Sequence, residues 1–341
     1  MFHRCLPMNL YLNMKKILAA AIIFIVLVGL LIKTSKKPVE KKLQKVTIMM
    51  PFTPSISWAA YYAAINKGFY NDEGLNVEMQ YTPKGNAGAV EQLIAGKVDI
   101  IESGEESLIM SRSKGSEAVA IYPIKPANIY YVISEKSKKI TKPAELFGKK
   151  VAVSSFGSGT YFNLLAMLNS ADIDKNSVDI IDAGTSLVSA FFEKKFDAAA
   201  VQLYQRLLIE AKIPDLNIIK ATDYSGISRQ HLATTEKLIK NNPELLKKFL
   251  RASKKGLEYA VNHPEEAVDI FISLHPEAAS QKKSDLFFWN SQNKEYKYKA
   301  GLPGLEKLED WQKSQDDLFK IGLITEKTDV SAMFTNKFFP K

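Results

Sequence analysis

The sequence predicts an α/β protein of two lobes, and three observations carry the prediction. Short apolar runs alternate with amphipathic stretches from residue 46 to about residue 221, the pattern of a layered fold with largely parallel sheets. The chain has 341 residues, more than one compact core usually holds. Two segments, Ile121-Tyr122-Pro123-Ile124-Lys125-Pro126 and Lys220-Ala221-Thr222-Asp223-Tyr224, read as crossings between lobes. Two crossings make the first lobe discontinuous (46–123 with 224–341) around an inserted second lobe (124–223), with a cleft between them where small ligands bind.

At the N-terminus, Lys15-Lys16 precedes the uninterrupted apolar run Ile17 to Ile32. Residues 1–33 therefore read as a secretory signal or a hydrophobic anchor. At about 1.5 Å per residue the run is short for a ~30 Å hydrocarbon core but workable with Lys33 snorkelling. No small-x-small cleavage site follows cleanly, and no cysteine offers a lipid attachment point, so an uncleaved anchor is preferred to a cleaved signal. Met14 opens a conventional MKK leader and is an alternative start to Met1. Six lysines follow the run and three basic residues precede it, a bias that on its own would hold the body inside. Large domains translocate despite such a bias. Residues 34–45, TSKKPVEKKLQK, are a charged linker with no apolar face.

The fold is expected to begin at Val46. Strand-like runs are 46–50, 77–81, 98–101, 117–122, 128–133, 150–154, 178–182, 197–201 and 216–221, with helical stretches at 57–66, 87–95, 143–147, 159–170, 185–193 and 204–212. Beyond residue 235 the chain reads as helices over 243–262, 264–273 and 304–321, two of them opened by proline. Tyr61, Tyr62, Ile65 and Phe69 share one stripe of the first helix, and Gly68 is placed to end it with a positive φ.

Charge and cysteine usage narrow the function. The formal net charge is +9, but residues 1–45 hold nine Lys or Arg and one acid, which leaves the body at about +1. A nucleic-acid footprint should sit on the folded body, so nucleic acid is not expected as a partner. The single cysteine, Cys5, excludes an intrachain disulfide, a four-cysteine zinc site and a CxxC redox motif. His3, His231, His263 and His275 form no spaced ligand cluster and no Ser-His-Asp or Cys-His arrangement, so neither metal, cofactor nor catalytic residues are expected.

The stretch TIMMPFTPSISWAAYYAAINKGFYNDEGLNVEM (47–79) resembles the first strand–helix–strand of bacterial solute-binding proteins for pyrimidine precursors of thiamine. Relatives in that superfamily serve riboflavin, sulfonates, taurine and nitrate. EQLIAGKVDI (91–100), ITKPAELFGKKVAV (140–153) and AMFTNKFFP (332–340) match in order, so the resemblance spans about residues 46–340. It implies a type II periplasmic-binding-protein fold and a monomer outside the cytoplasmic membrane, held by or cleaved after residues 17–32. It also implies delivery of a small solute to an ABC permease and its ATPase, with hinges at 122–126 and 221–225.

Candidate ligand contacts lie on loops at the C-terminal ends of strands. Phe52, Ser55 and Trp58 follow the first strand; the family's usual Trp-x-Pro-Asn is here Phe-Thr-Pro-Ser, which shortens a polar arm. An aromatic there can stack on a flat ring. Glu102 ends a strand and suits ring amines or imides, whereas Glu105 and Glu106 read as acids favouring a helix start. Ser155, Phe156 and Ser158 sit in SSFGSGT, which lacks the spacing of a dinucleotide or P-loop motif but points amides out of a helix start. Thr185 could instead be a helix cap. Gln202 and Tyr204 follow a second-lobe strand, and Tyr122 and Tyr224 lie at the crossings.

The function expected is therefore binding of a flat heterocyclic vitamin precursor, a thiamine pyrimidine precursor or riboflavin. The alternative is a sulfonate, taurine or nitrate binder of the same fold, for which Arg206 and Arg229 are the nearest cations. A pyrimidine-synthesis enzyme is disfavoured because Cys5 cannot make the cysteine-rich segment of such relatives, and a sensory ectodomain would need a partner for output.

Overall fold

The computed structural model describes residues 18, 20, 21, 42–125, 129–224, 229–296 and 305–339. The chain divides into a short unit, Met1–Lys42, and a body, Leu43–Lys341. The expected anchor, both candidate starts and Cys5 lie outside the described residues, apart from three positions within the apolar run. Among the described residues no helix is long and apolar enough to cross a membrane.

The body is built on two five-stranded sheets. The first contains β1 (Gln44–Met50), β2 (Leu75–Tyr81), β3 (Ile100–Gly104), β4 (Ala118–Lys125) and β10 (Gln230–Thr235), in the order β2-β1-β3-β10-β4. The second contains β5 (Tyr130–Glu135), β6 (Lys150–Val153), β7 (Asp179–Asp182), β8 (Ala198–Gln202) and β9 (Leu216–Lys220), in the order β7-β6-β8-β5-β9. The chain thus leaves the first sheet after β4, builds the whole second sheet, and returns as β10.

Sequence reading and structure differ in five places. The first strand starts at Gln44, inside the expected linker, because Gln44 and Lys45 pair with Leu75 and Asn76 of β2. Each sheet is mixed rather than largely parallel: β10 runs antiparallel to β3 and β4, and β5 antiparallel to β8 and β9. β10 itself was not anticipated, nor was the helix Lys282–Tyr296. The last long helix spans Leu308–Lys320, shorter at its start than expected.

The first helix, Ala59–Asn66, buries Tyr61 and Tyr62 and ends at Gly68, whose φ of 75° supplies the left-handed turn. It also packs on the helix Pro243–Asn262. A Cβ on Gly256 would lie 2.1 Å from the Ala60 carbonyl oxygen and 2.7 Å from the Ala64 Cβ, so the two backbones touch only because position 256 carries no side chain. Tyr62 stacks on Phe271 with centroids 5.3 Å apart, and Tyr70 shares a 2.8 Å hydrogen bond with Ser253. The C-terminal helices therefore lock onto the first helix and hold the loop after β1 in place.

Candidate functional site

Three helix starts meet between the two sheets. Gly85–Ile94 and Glu105–Arg112 belong to the first sheet's layer, and Gly159–Ser170 to the second's. Asn86 and Glu106, at the first two starts, are both buried, and Asn86 Nδ2 donates to Glu106 Oε1 at 2.7 Å. Opposite them, Gln230 Nε2 from β10 donates to the Tyr130 hydroxyl at 2.5 Å, which joins the two strands that connect the sheets. A Cβ on Gly159 would fall 2.1 Å from that hydroxyl, so the third helix can begin there only as glycine.

The two layers also touch directly. Ala87 N–H donates to the Gly157 carbonyl at 3.4 Å, and a Cβ on Gly157 would stand 2.9 Å from the Lys84 carbonyl oxygen. A left-handed Gly85, φ 70°, lets the backbone approach this closely.

The electrostatics of this centre are set by burial. Burial pushes the Glu106 carboxyl up to about 7, even though the Asn86 amide and its own backbone N–H favour the ionised form. Burial, with Glu106 nearby, also raises the Tyr130 phenol well above its ordinary value. Glu105 accepts from Ser314 at 2.9 Å. The reading of Glu105 and Glu106 as helix-start acids alone understates them, since both are fully buried and bonded to other elements.

Two cavities elsewhere in the body gather sequence-predicted residues. A small one of about 40 Å³ is bounded by Tyr61, Glu102, Tyr122, Leu232, Lys254 and Trp289. A larger one of about 220 Å³ lies between the loop after β1, the helix Leu203–Glu210 and the C-terminal helices, bounded by Thr53, Ser55, Tyr204, Phe271, Glu277 and Asp285.

The sequence-predicted residues distribute over these places. Ser55 and Tyr204 meet at the larger cavity, with Tyr204 edge-on to Phe288 at 4.6 Å. Phe52 is half-buried against the core. Glu102 and Tyr122 meet at the smaller cavity, and the Tyr122 ring lies 5.3 Å from Phe339. Trp58 is buried in a tilted contact with Tyr81, centroids 5.9 Å apart, its indole Nε1 without a partner. Ser158 caps the helix Gly159–Ser170 and shares a 2.6 Å hydrogen bond with Thr160. The buried Ser155 Oγ has no partner beside Gly85. Gln202 caps the helix Leu203–Glu210 through a reciprocal bond with Gln205. Phe156 is 50 % exposed against Tyr161, in a groove with residues 175–180, while Thr185 and Tyr224 are exposed. Thr185 is not a cap: Ser186 occupies that position before the helix Leu187–Phe192. The structure adds Asn86, Glu106, Tyr130, Gln230 and Asp285, of which only Glu106, as half of the Glu105-Glu106 pair, had a visible sequence signal.

Both candidate cations for an anionic ligand are engaged elsewhere. Arg206 pairs with Glu210 at 3.2 Å and lies over the Tyr131 ring at 4.4 Å. Arg229 pairs with Asp310 and stands 3.8 Å from Glu306, which in turn lies 2.9 Å from His231 Nε2. Burial alone would raise the Glu306 carboxyl, but His231, Trp311 and Arg229 hold it below its ordinary value. Among the described residues no group of three or more His, Cys, Asp or Glu could hold a metal ion.

The chain is similar over its length to proteins of known description. It is 26% identical over 312 residues to a riboflavin-binding protein of Chloroflexus aurantiacus, covering 88% of each chain. It is 23% identical over 243 residues to a formylaminopyrimidine-binding protein of Halalkalibacterium halodurans, covering 70% of this chain and 73% of that one. A 4-amino-5-hydroxymethyl-2-methylpyrimidine phosphate synthase of Legionella pneumophila is 21% identical over 302 residues, covering 87% and 92%. The solved structure of the periplasmic aliphatic sulphonate-binding protein of Escherichia coli superposes with a TM-score of 0.66 at 15% identity, over 87% of this chain and 99% of that one. That likeness shows the fold, a two-lobe α/β periplasmic-binding-protein fold. The profile of NMT1/THI5-like proteins matches residues 55–267, so the chain belongs to the NMT1/THI5-like family.

Proposed function

We propose that this protein is the extracytoplasmic solute-binding component of an ABC importer, capturing a flat heterocyclic vitamin precursor between its lobes. A thiamine pyrimidine precursor is the first reading and riboflavin the second. The observation that carries the proposal is the charge of the cleft. Where three helix starts would attract an anion, the protein has placed its own buried carboxyl, Glu106, and both nearby arginines are already paired. A carboxyl in that place occupies the position an anion would take, which disfavours a sulfonate or nitrate and favours a ligand rich in N–H groups.

In this reading residues 46–123 with 224–341 form one lobe and 124–223 the other. They close by hinge motion where β4 leads to β5 and β9 to β10. The Gly157–Lys84 approach is then a contact of the closed form. A permease and its ATPase receive the solute at the outer face of the membrane, where the N-terminal segment would hold or have delivered the protein. Similarity to two binding proteins over most of the chain supports binding rather than catalysis.

The test is thermal unfolding of the full chain in mild detergent with aminopyrimidine thiamine precursors, riboflavin, taurine, an alkanesulfonate and nitrate. A ligand at 100 times its Kd adds about 2.7 kcal/mol. Stabilisation by a heterocycle alone supports the reading, whereas stabilisation by taurine or sulfonate alone overturns it.

A further inference from the structure

Asp285 is a buried acid at a cavity wall whose hydrogen bonding the fold leaves incomplete. It sits in the first turn of the helix Lys282–Tyr296, where an acid is usually solvated, yet its residue is 2 % exposed and its Oδ2 has no hydrogen-bond partner. Buried carboxylates in folded proteins are usually bonded, so the unpartnered Oδ2 is an acceptor open to a ligand or a water. It lines the 220 Å³ cavity together with Tyr204, Ser55, Thr53 and Phe271. Among the described residues that line it, the other titratable groups are Tyr204 and Glu277, and none is a lysine or arginine. The volume lies just below the ~300–1,000 Å³ of sites for drug-sized molecules, which suits a single ring.

We propose that Asp285 is the amine-recognising residue of this protein, accepting N–H from an amino group or protonated ring nitrogen of a single-ring heterocycle held in the cavity beside Tyr204 and Ser55. The inference rests on the solute-binding reading and narrows it, from flat heterocycles in general to amino-substituted ones. Such a site discriminates strongly, because an analogue without the donor leaves the buried carboxylate unpaired. Ser55 and Thr53 come from the loop after β1 and Tyr204 from the other sheet's layer, so a ligand here would touch both lobes.

The experiment is isothermal titration of the full chain with 4-amino-5-hydroxymethyl-2-methylpyrimidine, its 4-deamino counterpart (hydrogen at position 4) and riboflavin, on wild type, Asp285→Asn and Tyr204→Phe. The aminopyrimidine should bind wild type at least about 10-fold tighter than the 4-deamino counterpart, and Asp285→Asn should remove that preference and weaken aminopyrimidine binding by about 10- to 100-fold. Tyr204→Phe should weaken binding but keep the preference. A carbon-13 label on the aspartates gives a second readout: the Asp285 carboxyl should stay ionised to lower pH when the aminopyrimidine is bound. If the aminopyrimidine binds wild type and Asp285→Asn equally, or the Asp285 titration does not move, the inference fails while the solute-binding reading stands. If no heterocycle binds wild type, that reading fails and this one with it.

Discussion

Replacing Asp285 by Asn should stabilise the ligand-free protein, and by an amount that depends on pH. Burial alone pushes this carboxyl from an ordinary 3.8 up to about 6. The folded state therefore holds the proton more tightly than the unfolded chain. Stability falls as pH rises from about 4 to about 6, and the deficit is fully present above that window. About two pKa units at ~1.4 kcal/mol each give an upper bound of ~3 kcal/mol, and the cavity's access to solvent lowers this to roughly 1–2 kcal/mol. Asn keeps the shape and removes the charge. Thermal melts of wild type and Asp285→Asn at pH 4, 5, 6, 7 and 8 should coincide at pH 4 and separate to a few degrees at pH 8, the variant melting higher. A variant no more stable than wild type at pH 8, or an offset independent of pH, would show that the carboxylate is compensated in the fold and refute the reasoning. A residue that destabilises the empty protein and serves the bound one is the expected trade at a functional position.

A Cβ at position 157 would stand 2.9 Å from the Lys84 carbonyl, so under the proposed hinge motion Gly157→Ala should oppose closure of the lobes. It should raise the radius of gyration in solution scattering and weaken ligand binding several-fold without lowering the melting temperature of the empty protein. Gly256→Ala forces a Cβ to within 2.1 Å of the Ala60 carbonyl oxygen, so urea unfolding should show a loss of about 1–3 kcal/mol, the usual penalty of overpacking; an unchanged midpoint would mean that the helices can separate freely.

The layered fold was legible because β1 to β9 are apolar and regularly spaced by helices. β10, Gln230–Thr235, was not, since QHLATT carries only two apolar residues. It is an interior strand all the same, because its polar groups find buried partners: Gln230 on Tyr130, Thr234 on the Asp99 carbonyl, His231 beside Glu306. None of those partners is local, so no window of sequence could display them. The helix Lys282–Tyr296 was hidden for a related reason. Its apolar residues bunch at Leu286 to Trp289, and part of its buried face is made of Asp285, Gln292 and Asn293. Both missed elements carry residues of the candidate site, which is why the sequence pointed to Glu102 and Tyr204 but not to Gln230 or Asp285. Strand-end position was readable; the burial of Asp285 at a cavity wall is set by packing among distant segments.

Glu106 gives the sharpest view of how this fold chooses its ligand class. Three helix starts bring the positive ends of their dipoles to one point, an arrangement that favours anions. Here the anion is supplied by the chain, folded back so tightly that a Cβ on Gly104 would lie 2.2 Å from the Glu106 carboxylate. Its carboxyl, pushed up to about 7 by burial, changes protonation near neutral pH. Glu106→Ala removes the internal anion and leaves the Asn86 amide and the helix starts unopposed. The variant should then acquire what wild type lacks, weak affinity for a small anion. At 100 mM sulfate and a Kd of about 10 mM the gain is ~1.4 kcal/mol. Sulfate also stabilises proteins generally by exclusion from their surface, so the quantity to read is the difference between variant and wild type in melting temperature as sulfate replaces chloride. A difference confined to the variant means that one side chain separates a binder of N–H-rich rings from a binder of oxyanions on the same scaffold. Equal responses mean that the helix starts are too well satisfied by their own caps to attract an anion, and that the ligand class is decided at the Asp285 wall alone.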